Sequence, residues 1–546
     1  MQPYRHAALL FVASLSLRTA HWLLSPERAD AFVASYQGDA TYWQMFCNGT
    51  AGLEAALPFR PPGMRWLAEA LWDGRGPAYL PRAVMTVLGA LVPPALYLGL
   101  VRSFEPRLAL MAAWICACSN ALIVLGSGLH VEIPYLLLCT LTIGDFERIR
   151  TSAAPFAAAR WGVINAIACL FRAEHLLFVA MSLGLLAWKK RERRARDLGV
   201  ATAVFAATLL PWQLHVASSI ADFNEGRIDG ALRLPQLPPH GSPPWDQDAL
   251  AAVRAMPAFA QAPTAAFVGD TVRARGEERV TRDSLKILDE AYGCRPEPLH
   301  TPLLALYGPL NFFLANCAES DGGFTRAALD RRPRLLGGES KYPAGLLLVL
   351  PKDLSLGYPP HLDAVNHGYR NGLHWIADHP HDALASCLRK LTISWRGAAS
   401  GFLATNAPLG RDGTREPVDI VTPESIVAST WRALLLMLAM YGATRLRREP
   451  AAAGLHIWWL ARLFLAVCFF GYARLGATCL PALAALWAAA LAPLYARAET
   501  TLHRHRVPVI VLLATVAAAD TAASSLDHRP SVTGSASPHA QKTVRH

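Results

Sequence analysis

The chain has 546 residues, of which 53% are hydrophobic and 17% are charged, and its mean hydropathy is +0.24. The apolar residues form blocks about 20 residues long, the length of a helix that crosses a bilayer. The net charge is +11, but the basic residues are not interleaved with aromatic ones, and the sequence has no fold motif of a nucleic-acid-binding protein. Composition therefore indicates an integral membrane protein and excludes a soluble or nucleic-acid-binding one.

Eleven apolar segments predict membrane-spanning helices, so the expected fold is a mainly α, polytopic helical bundle. It also includes a first external loop with amphipathic helices and a larger soluble domain of α or α+β structure. The predicted spans cover residues 6–24, 81–101, 107–126, 129–146, 156–171, 175–188, 198–217, 426–444, 454–471, 477–496 and 507–524.

Basic residues mark every second loop, as the positive-inside rule requires of cytoplasmic loops. The densest run is KKRERRARD at residues 189–197, and the loops after the second, fourth, eighth and tenth spans are basic as well. This alternation predicts a multi-pass protein of the cell (inner) membrane with a cytoplasmic N-terminus. Residues 25–80 and 218–425 are then expected on the non-cytoplasmic side.

The predicted topology divides the chain into four parts. A proline-rich linker at residues 235–244 opens the soluble domain, and a helical stretch at about 363–395 is expected to lie against the membrane. The parts are an N-terminal membrane module at 1–217, the non-cytoplasmic soluble domain at 218–425, C-terminal membrane helices at 426–524 and a disordered tail at 525–546.

Charged residues in apolar segments cost roughly 2.5–3.5 kcal/mol at mid-helix, so those that share one depth are functional candidates. In this sequence the charged residues share the outer edge of the bundle. Each of them also has a possible structural role, as an interfacial ion pair, a helix cap or a charge in a short turn. Arg18 and Arg462 fit snorkelling or interhelical pairing as well as they fit contact with a substrate. The candidates are Asp39 and Arg60 in the first loop, His130 and Glu132 where the third span ends and the fourth begins, Arg172, Glu174 and His175 where the fifth and sixth meet, and Arg474 before the tenth.

Glu54, another acid of the first loop, lies in an Ala/Leu run and is expected to decorate a helix and not to form a site. Pro61 and Pro62 suit the start of a helix. The following MRWLAEALW predicts an amphipathic helix on the membrane surface, which would hold Asp39 and Arg60 near the lipid headgroups.

The ten cysteines show no Cys-x-x-Cys and no zinc spacing, and no Asp-x-Asp occurs near Asp39, so no catalytic metal is predicted. Four cysteines fall in segments expected outside, where one or two disulfides would form. Their pairing stays open among Cys47, Cys294, Cys317 and Cys387.

Several pieces together resemble the GT-C superfamily of membrane glycosyltransferases, in particular protein O-mannosyltransferases and lipid A aminoarabinose transferases. They occur in family order from about residue 10 to 490. The pieces are GDATYW, FRPPGMRWLAEAL, HVEIPYLLL, CLFRAEHLLF, LLPWQLHV, PLNFFLANCAESDGGF, IADHPHDALASCLRKLTISW and ARLGATCLPAL.

By this resemblance, Asp39 is the essential acid of the first external loop, as general base or orienting group for the acceptor hydroxyl. Ala40 follows it, where many relatives carry a second acid. The resemblance implies inverting transfer of a hexose or pentose from a polyprenyl-phosphate donor to a lipid, glycan or protein. No further cofactor is expected. Arg60, Arg172, His175 and Arg474 are the cations available for the phosphate leaving group.

Two other functions remain open at this point. The first is a transporter or flippase of lipid-linked glycan, which also carries intramembrane charges. The second is a polymerase or ligase of lipid-linked polysaccharide, an enzyme that is built differently. A transporter would normally show repeated halves with matching broken spans, which the sequence lacks. A third alternative is a non-catalytic envelope assembly protein with this fold. Loss of transfer on replacing Asp39 by Asn separates the glycosyltransferase from all three.

Overall fold

The computed structural model describes residues 2–24, 39–49, 57–152, 154–188, 192–228, 298–329, 354–356, 359–402 and 426–502, with two-residue strands at 232–233, 279–280 and 348–349. Several predictions fall outside these residues. They are the eleventh span at 507–524, the tail at 525–546, the linker at 235–244, Glu54, Cys294 and much of the soluble domain.

The N-terminal part of the described chain is built from ten helices, in agreement with the apolar blocks of the sequence. In chain order they are α1 (Gln2–Leu24), α2 (Asp39–Cys47), α3 (Gly63–Leu71), α4 (Tyr79–Leu100), α5 (Pro106–Cys118), α6 (Asn120–Gly126), α7 (Glu132–Thr151), α8 (Pro155–Phe171), α9 (His175–Trp188) and α10 (Glu192–Ile228).

Seven further helices follow, and the described strands are short. The helices are α11 (Tyr307–Ala315), α12 (Pro359–Asp378), α13 (Pro380–Ala398), α14 (Ile426–Leu446), α15 (Ala453–Cys468), α16 (Ala473–Ala477) and α17 (Leu480–Leu502), with 3₁₀ turns at Ala327–Leu329 and Pro450–Ala452. Antiparallel pairs join β1 (Leu232–Arg233) to β2 (Arg279–Val280) and β3 (Leu348–Val349) to β4 (Leu354–Ser355).

The mainly helical fold is confirmed, and three helices of the described chain are long and apolar enough to cross a membrane. These are Tyr79–Leu100, Ala195–Asn224 and Pro450–Cys468. Shorter apolar helices cover Pro106–Cys118, Pro155–Phe171, His175–Trp188 and Leu480–Pro493. The number of eleven spans and the division into four parts stay predictions.

The third predicted span, residues 107–126, is not one helix but breaks at Ser119 into α5 and α6. Ser119 has extended backbone angles and forms an antiparallel bridge with Phe402. Next to it, the Asn120 N–H donates to the Gly401 carbonyl over 2.9 Å. A segment distant in sequence therefore takes up the backbone groups that a continuous helix would pair internally.

Small residues allow close helix packing in the bundle. Helix α1 packs on α4, α4 on α7, and α7 on α8, while α17 packs on both α5 and α14. The Ala-rich stretch 482–490 of α17 is buried. At its contact with α14, a Cβ on Gly442 would come within 1.9 Å of the Leu486 carbonyl oxygen. In the absence of water, van der Waals packing of this kind is what associates helices.

A second apolar cluster lies between the first loop, the end of α10 and the segments that follow it. Phe59 of the loop and Ile220 of α10 are buried there beside Leu310 of α11 and Leu362 of α12. The Leu306 N–H also donates to the Pro58 carbonyl over 2.9 Å. The first loop and the predicted outer segment are thus held together around one core.

Helix α3 begins directly after Pro62, as the proline pair predicts, but its apolar face packs on protein. Met64 is 1% exposed, and a Cβ on Gly63 would come within 2.8 Å of the Leu170 carbonyl oxygen at the end of α8. Trp66 is half exposed and meets Trp212 edge to face. The expected amphipathic helix is present, with the bundle covering the face that the sequence assigns to the membrane.

Helix α13 lies directly on the short helix α16 and the segment before it. A Cβ on Gly471 would approach the Lys390 Cα to 2.5 Å, and one on Gly476 would approach the Ser394 carbonyl oxygen to 1.7 Å. Only glycine permits this backbone-to-backbone contact. Because Arg474 lies between the two glycines, the same contact fixes its position.

Replacing Gly476 by Ala should force α13 away from α16, because the added methyl group meets backbone and not a flexible side chain. We expect a loss of about 1–3 kcal/mol, the usual range for overpacking. The measurement is the midpoint of thermal unfolding of the detergent-solubilised protein. Gly184→Ala in α9 is the matched control, since its Cβ meets nothing within 4 Å. Equal midpoints for the two variants would contradict the contact.

Candidate functional site

A cavity of about 1610 Å³ lies at the end of the bundle where α7 begins and where α8 turns into α9. The first loop contributes Tyr42, Trp43 and Arg60, and the other walls come from α11, α12, α13 and α15 to α17. Small-molecule sites usually measure about 300–1,000 Å³, so this cavity has room for two substrates.

Two acids and an arginine form a connected ion-pair cluster on one wall of the cavity. Arg172 Nη1 donates to Glu132 Oε1 over 2.9 Å, and Arg172 Nε donates to Glu174 Oε1 over 2.5 Å. The side chain of Glu132 is 3% exposed and that of Arg172 is 13% exposed. Burial of this degree is tolerated because each charge has an opposite charge at hydrogen-bond distance.

The local chain directions explain why these charges meet. Glu132 is the first residue of α7, where an acid is favoured by the helix dipole. Arg172 follows the last residue of α8 in an extended conformation, and Glu174 lies in the turn to α9. The sequence prediction that these residues share one edge therefore corresponds to a direct contact.

Arg462 of α15 completes this wall. From the sequence, snorkelling or interhelical pairing was as compatible with this residue as contact with a substrate. It is 4% exposed, borders the cavity, and lies over the Tyr135 ring at 4.7 Å from the centroid. Its closest carboxylate approach is 3.9 Å, from Nη1 to Glu174 Oε1. None of its nitrogens has a hydrogen-bond partner among the residues that the structure describes.

Arg474 of α16 also borders the cavity. Its Nη2 donates to the Tyr472 hydroxyl over 2.6 Å, and its Nη1 lies 3.3 Å from His130 Nδ1. His130 is 3% exposed and does not border the cavity itself. His130 and Arg474, predicted separately at the outer edge, are thus in contact, and Arg474 is the one of the two that borders the cavity.

Arg60 is enclosed by three aromatic rings on the cavity wall. Its guanidinium carbon lies 4.1 Å from the centroid of Tyr42, 5.5 Å from that of Tyr307 and 5.9 Å from that of Trp43. A cation–π contact contributes about 0.5–2 kcal/mol, with more where water is excluded. The arrangement joins the first loop to α11 and leaves a positive charge beside aromatic faces.

Asp39 is the first residue of α2, one helical turn before Tyr42. Its backbone therefore lies close to the part of α2 that borders the cavity, since Tyr42 and Trp43 both line it. The side chain of Asp39 falls outside the residues described.

His175 lies behind the cavity and not on its wall, although the sequence predicts it as a substrate ligand. Its Nδ1 is 2.9 Å from the Tyr135 hydroxyl, and its Nε2 is 2.8 Å from Asn165 Oδ1. The ring also stacks on Phe178. Both nitrogens have partners within the helix bundle, so His175 connects α7, α8 and α9, and its role as a substrate ligand stays a prediction.

A buried lysine supports the cavity from behind and is a residue that sequence reasoning did not single out. Lys390 Nζ donates to Asn316 Oδ1 over 2.8 Å and to the Val467 carbonyl over 3.2 Å, near the C-terminal end of α15. Burial lowers the pKa of Lys390. Lys390 and Asn316 both lie within sequence pieces that resemble the family, and this resemblance was the signal in the sequence that could have identified them.

The cysteines described in the structure are free thiols, including Cys47, Cys317 and Cys387 of the predicted external segments. Burial, followed by the nearby Glu69 and Asp73, raises the pKa of Cys47 to about 11. Across the described residues, no group of three or more His, Cys, Asp or Glu side chains is placed to hold a metal ion.

No protein-family model matches this chain, and a comparison with curated proteins gives no match. Among solved structures, the chain is similar to the apo oligosaccharyltransferase of Archaeoglobus fulgidus, with 14% identity and a TM-score of 0.42 over 95% of this chain and 56% of that one. A second is the archaeal oligosaccharyltransferase AglB from Archaeoglobus fulgidus in complex with an inhibitory peptide and a dolichol-phosphate, with 13% identity and a TM-score of 0.41 over 96% and 56%.

The chain spans just over half the length of the two archaeal enzymes. The class that its own fold and site define is a helical membrane protein with a large cation-lined cavity at one end of the bundle. A more specific function has to come from the residues of that cavity.

The ion-pair cluster should be a structural requirement of the cavity. Glu132→Gln leaves Arg172 with one carboxylate in place of two, so we expect a loss of about 1.5–3 kcal/mol, as for a hydrogen bond to a charged group. Thermal unfolding of the purified protein measures it. Arg65→Gln is the control, because its pair with Glu69 is about one-third exposed and should contribute under about 1 kcal/mol. A smaller effect at Glu132 than at Arg65 would contradict the buried pair.

Proposed function

We propose that this protein is a membrane glycosyltransferase of the GT-C type that moves a hexose or pentose from a polyprenyl-phosphate donor to a hydroxyl group. The acceptor is a lipid, a glycan or a protein on the non-cytoplasmic side of the membrane. The reaction inverts the anomeric centre and uses Asp39 as the general base. Neither a metal nor a further cofactor takes part, and membrane lipids are the other partners.

The observation that carries this proposal is the combination of charge and apolar surface in one cavity. Arg60, Arg462 and Arg474 border it, while aromatic and aliphatic side chains of α11, α12 and α15 form much of its remaining wall. A lipid-linked phosphate sugar combines an anion, a polar ring and a hydrocarbon chain, and it needs this combination of surfaces.

The cations have different roles because their surroundings differ. Arg172 already has two carboxylate partners, so we assign it to holding the wall and not to the donor phosphate. Arg462 has no hydrogen bond among the described residues, and Arg474 contacts a phenol and an imidazole. These two guanidinium groups are therefore the better donors to a phosphate.

In the reaction, the acceptor oxygen attacks the anomeric carbon of the sugar while the bond from that carbon to the phosphate oxygen breaks. The electron pair of the broken bond stays on the phosphate, so polyprenyl phosphate leaves with one more negative charge. Arg462 and Arg474 stabilise that charge as it develops. The proton of the acceptor hydroxyl passes to the Asp39 carboxylate.

The first loop supplies the two elements that bring base and donor together. Arg60 within its aromatic enclosure joins the loop to α11, and α2 runs from Asp39 to the cavity residues Tyr42 and Trp43. The start of α2 at Asp39, one turn before Tyr42, supports its assignment as the base that meets an acceptor from the non-cytoplasmic side.

Asp39→Asn tests the proposal most directly, because an amide has the shape of the carboxylate but cannot accept the proton. We expect transfer to fall by about 10²–10⁴-fold, the range for removal of a general base. The measurement is the release of polyprenyl phosphate from a panel of synthetic polyprenyl-phosphate sugars by the reconstituted protein. Donor binding, measured separately, should stay near the wild-type value.

Glu69→Gln is the matched control, because Glu69 is an acid of the same loop that lies on the exposed side of α3. Its transfer rate should stay within a few-fold of wild type. Near-normal transfer in Asp39→Asn would overturn the assignment of the base and make Glu132 the next carboxylate to replace. A wild-type protein that cleaves no donor of the panel would overturn the proposed activity.

Arg462→Ala and Arg474→Ala should each weaken donor binding by about tenfold to a hundredfold, which corresponds to the ~1.5–3 kcal/mol of a charged hydrogen bond. Lys at either position should restore part of it, since it keeps the charge but not the planar fork. Equilibrium binding of a fluorescent polyprenyl-phosphate sugar measures the effect. Arg65→Ala, outside the cavity, should bind as wild type, and unchanged binding in both cavity variants would leave their charges structural.

A further inference from the structure

A second, smaller cavity lies at the opposite end of the bundle and takes no part in the proposed transfer. Its volume is about 240 Å³, which is on the order of eight water molecules. It is formed where the ends of α7 and α9 meet the connection from α14 to α15. Its lining residues are Arg150, Leu185, Leu186, Arg447, Arg448, Glu449, Pro450, Ala453 and His456.

The candidate membrane span Pro450–Cys468 relates the two cavities to the membrane. Its first residue, Pro450, borders the small cavity, and its last residue, Cys468, borders the large one. A helical rise over eighteen residues covers about 27 Å, close to the ~30 Å of a bilayer's hydrocarbon core. The small cavity therefore lies at the level of the second membrane surface, the cytoplasmic one in the predicted topology.

The charge of the small cavity is positive and only partly compensated. Arg150 donates to both oxygens of Glu147, over 2.8 and 2.5 Å. Arg447 and Arg448 form no ion pair with any residue in the described ranges, and Glu449 is the acid beside them. The three arginines and the two acids Glu147 and Glu449 leave one net positive charge, which matches a single phosphodiester.

Apolar residues lie next to these charges. Leu185 and Leu186 at the end of α9 form one side of the cavity, and Trp188, two residues on, is 85% exposed. Exposed tryptophans at helix ends are typical of the headgroup level of a membrane. A ligand in this cavity would therefore place an anionic group against the arginines and a hydrocarbon portion along α9.

We infer that this cavity binds the headgroup of an anionic phospholipid, with its phosphodiester between Arg447, Arg448 and Arg150 and an acyl chain beside Leu186. Basic cavities between helix ends at the cytoplasmic surface have the chemistry for such headgroups. The lipid would bridge the α14–α15 connection and the end of α7. The inference does not rest on the proposed glycosyl transfer.

The test titrates the purified full-length protein in detergent with phosphatidylglycerol and measures bound lipid by native mass spectrometry. An Arg447→Gln/Arg448→Gln variant should bind about thirtyfold more weakly, which corresponds to ~2 kcal/mol for two basic contacts. The matched control is Arg102→Gln/Arg445→Gln, which removes the same charge from two positions predicted on the same side but outside the cavity. It should bind within about twofold of wild type.

Two further ligands decide the source of the phosphate. Phosphatidylcholine with the same acyl chains should bind at least tenfold more weakly than phosphatidylglycerol, and soluble glycerol 3-phosphate should bind more weakly still. Equal loss in both double variants would show general attraction to anionic lipid and overturn the site. Equal binding of phosphatidylcholine would overturn the charge recognition, and equal binding of glycerol 3-phosphate would overturn the lipid. The titration of wild-type protein alone tests these last two outcomes.

Discussion

The arrangement of the large cavity depends on one constraint, which is that a charge buried among membrane helices needs an opposite charge at hydrogen-bond distance. Arg172 meets this constraint with Glu132 and Glu174. Since these residues come from the start of α7 and from the turn between α8 and α9, their ion pairs fix the relative position of three helices. Arg462, beside the same cluster, borders the cavity and has no hydrogen-bond partner among the described residues.

The remaining walls are held by different forces. On the α13 side, backbone atoms touch at Gly471 and Gly476, and Lys390 joins α13 to the end of α15. On the first-loop side, an arginine within aromatic rings makes the connection. Because each wall has its own support, the cations around the cavity are in position before a ligand enters, which reduces the ordering that binding requires.

Much of the fold follows from the apolar blocks of the sequence, but features that depend on distant partners do not. The break at Ser119 requires Phe402 as a bridge partner, which no local pattern indicates. The shared depth correctly grouped Glu132 with Arg172. Depth does not give the direction in which a side chain leaves its helix, however, and His175, predicted at the same edge, lies behind the cavity. Lys390 went unnoticed because its partner, Asn316, is 74 residues away.

The enclosure of Arg60 has a consequence for the ionic strength at which the site persists. Dissolved ions screen charges through solvent, with a Debye length of about 8 Å at physiological salt, and they act weakly on buried pairs. The contact of Arg60 with the Tyr42 ring, which attaches the first loop, is partly buried and is screened weakly. The pair of Arg65 and Glu69 is about one-third exposed and is screened through solvent. Concentrated salt therefore removes surface pairing from α3 while leaving the loop attached to the bundle.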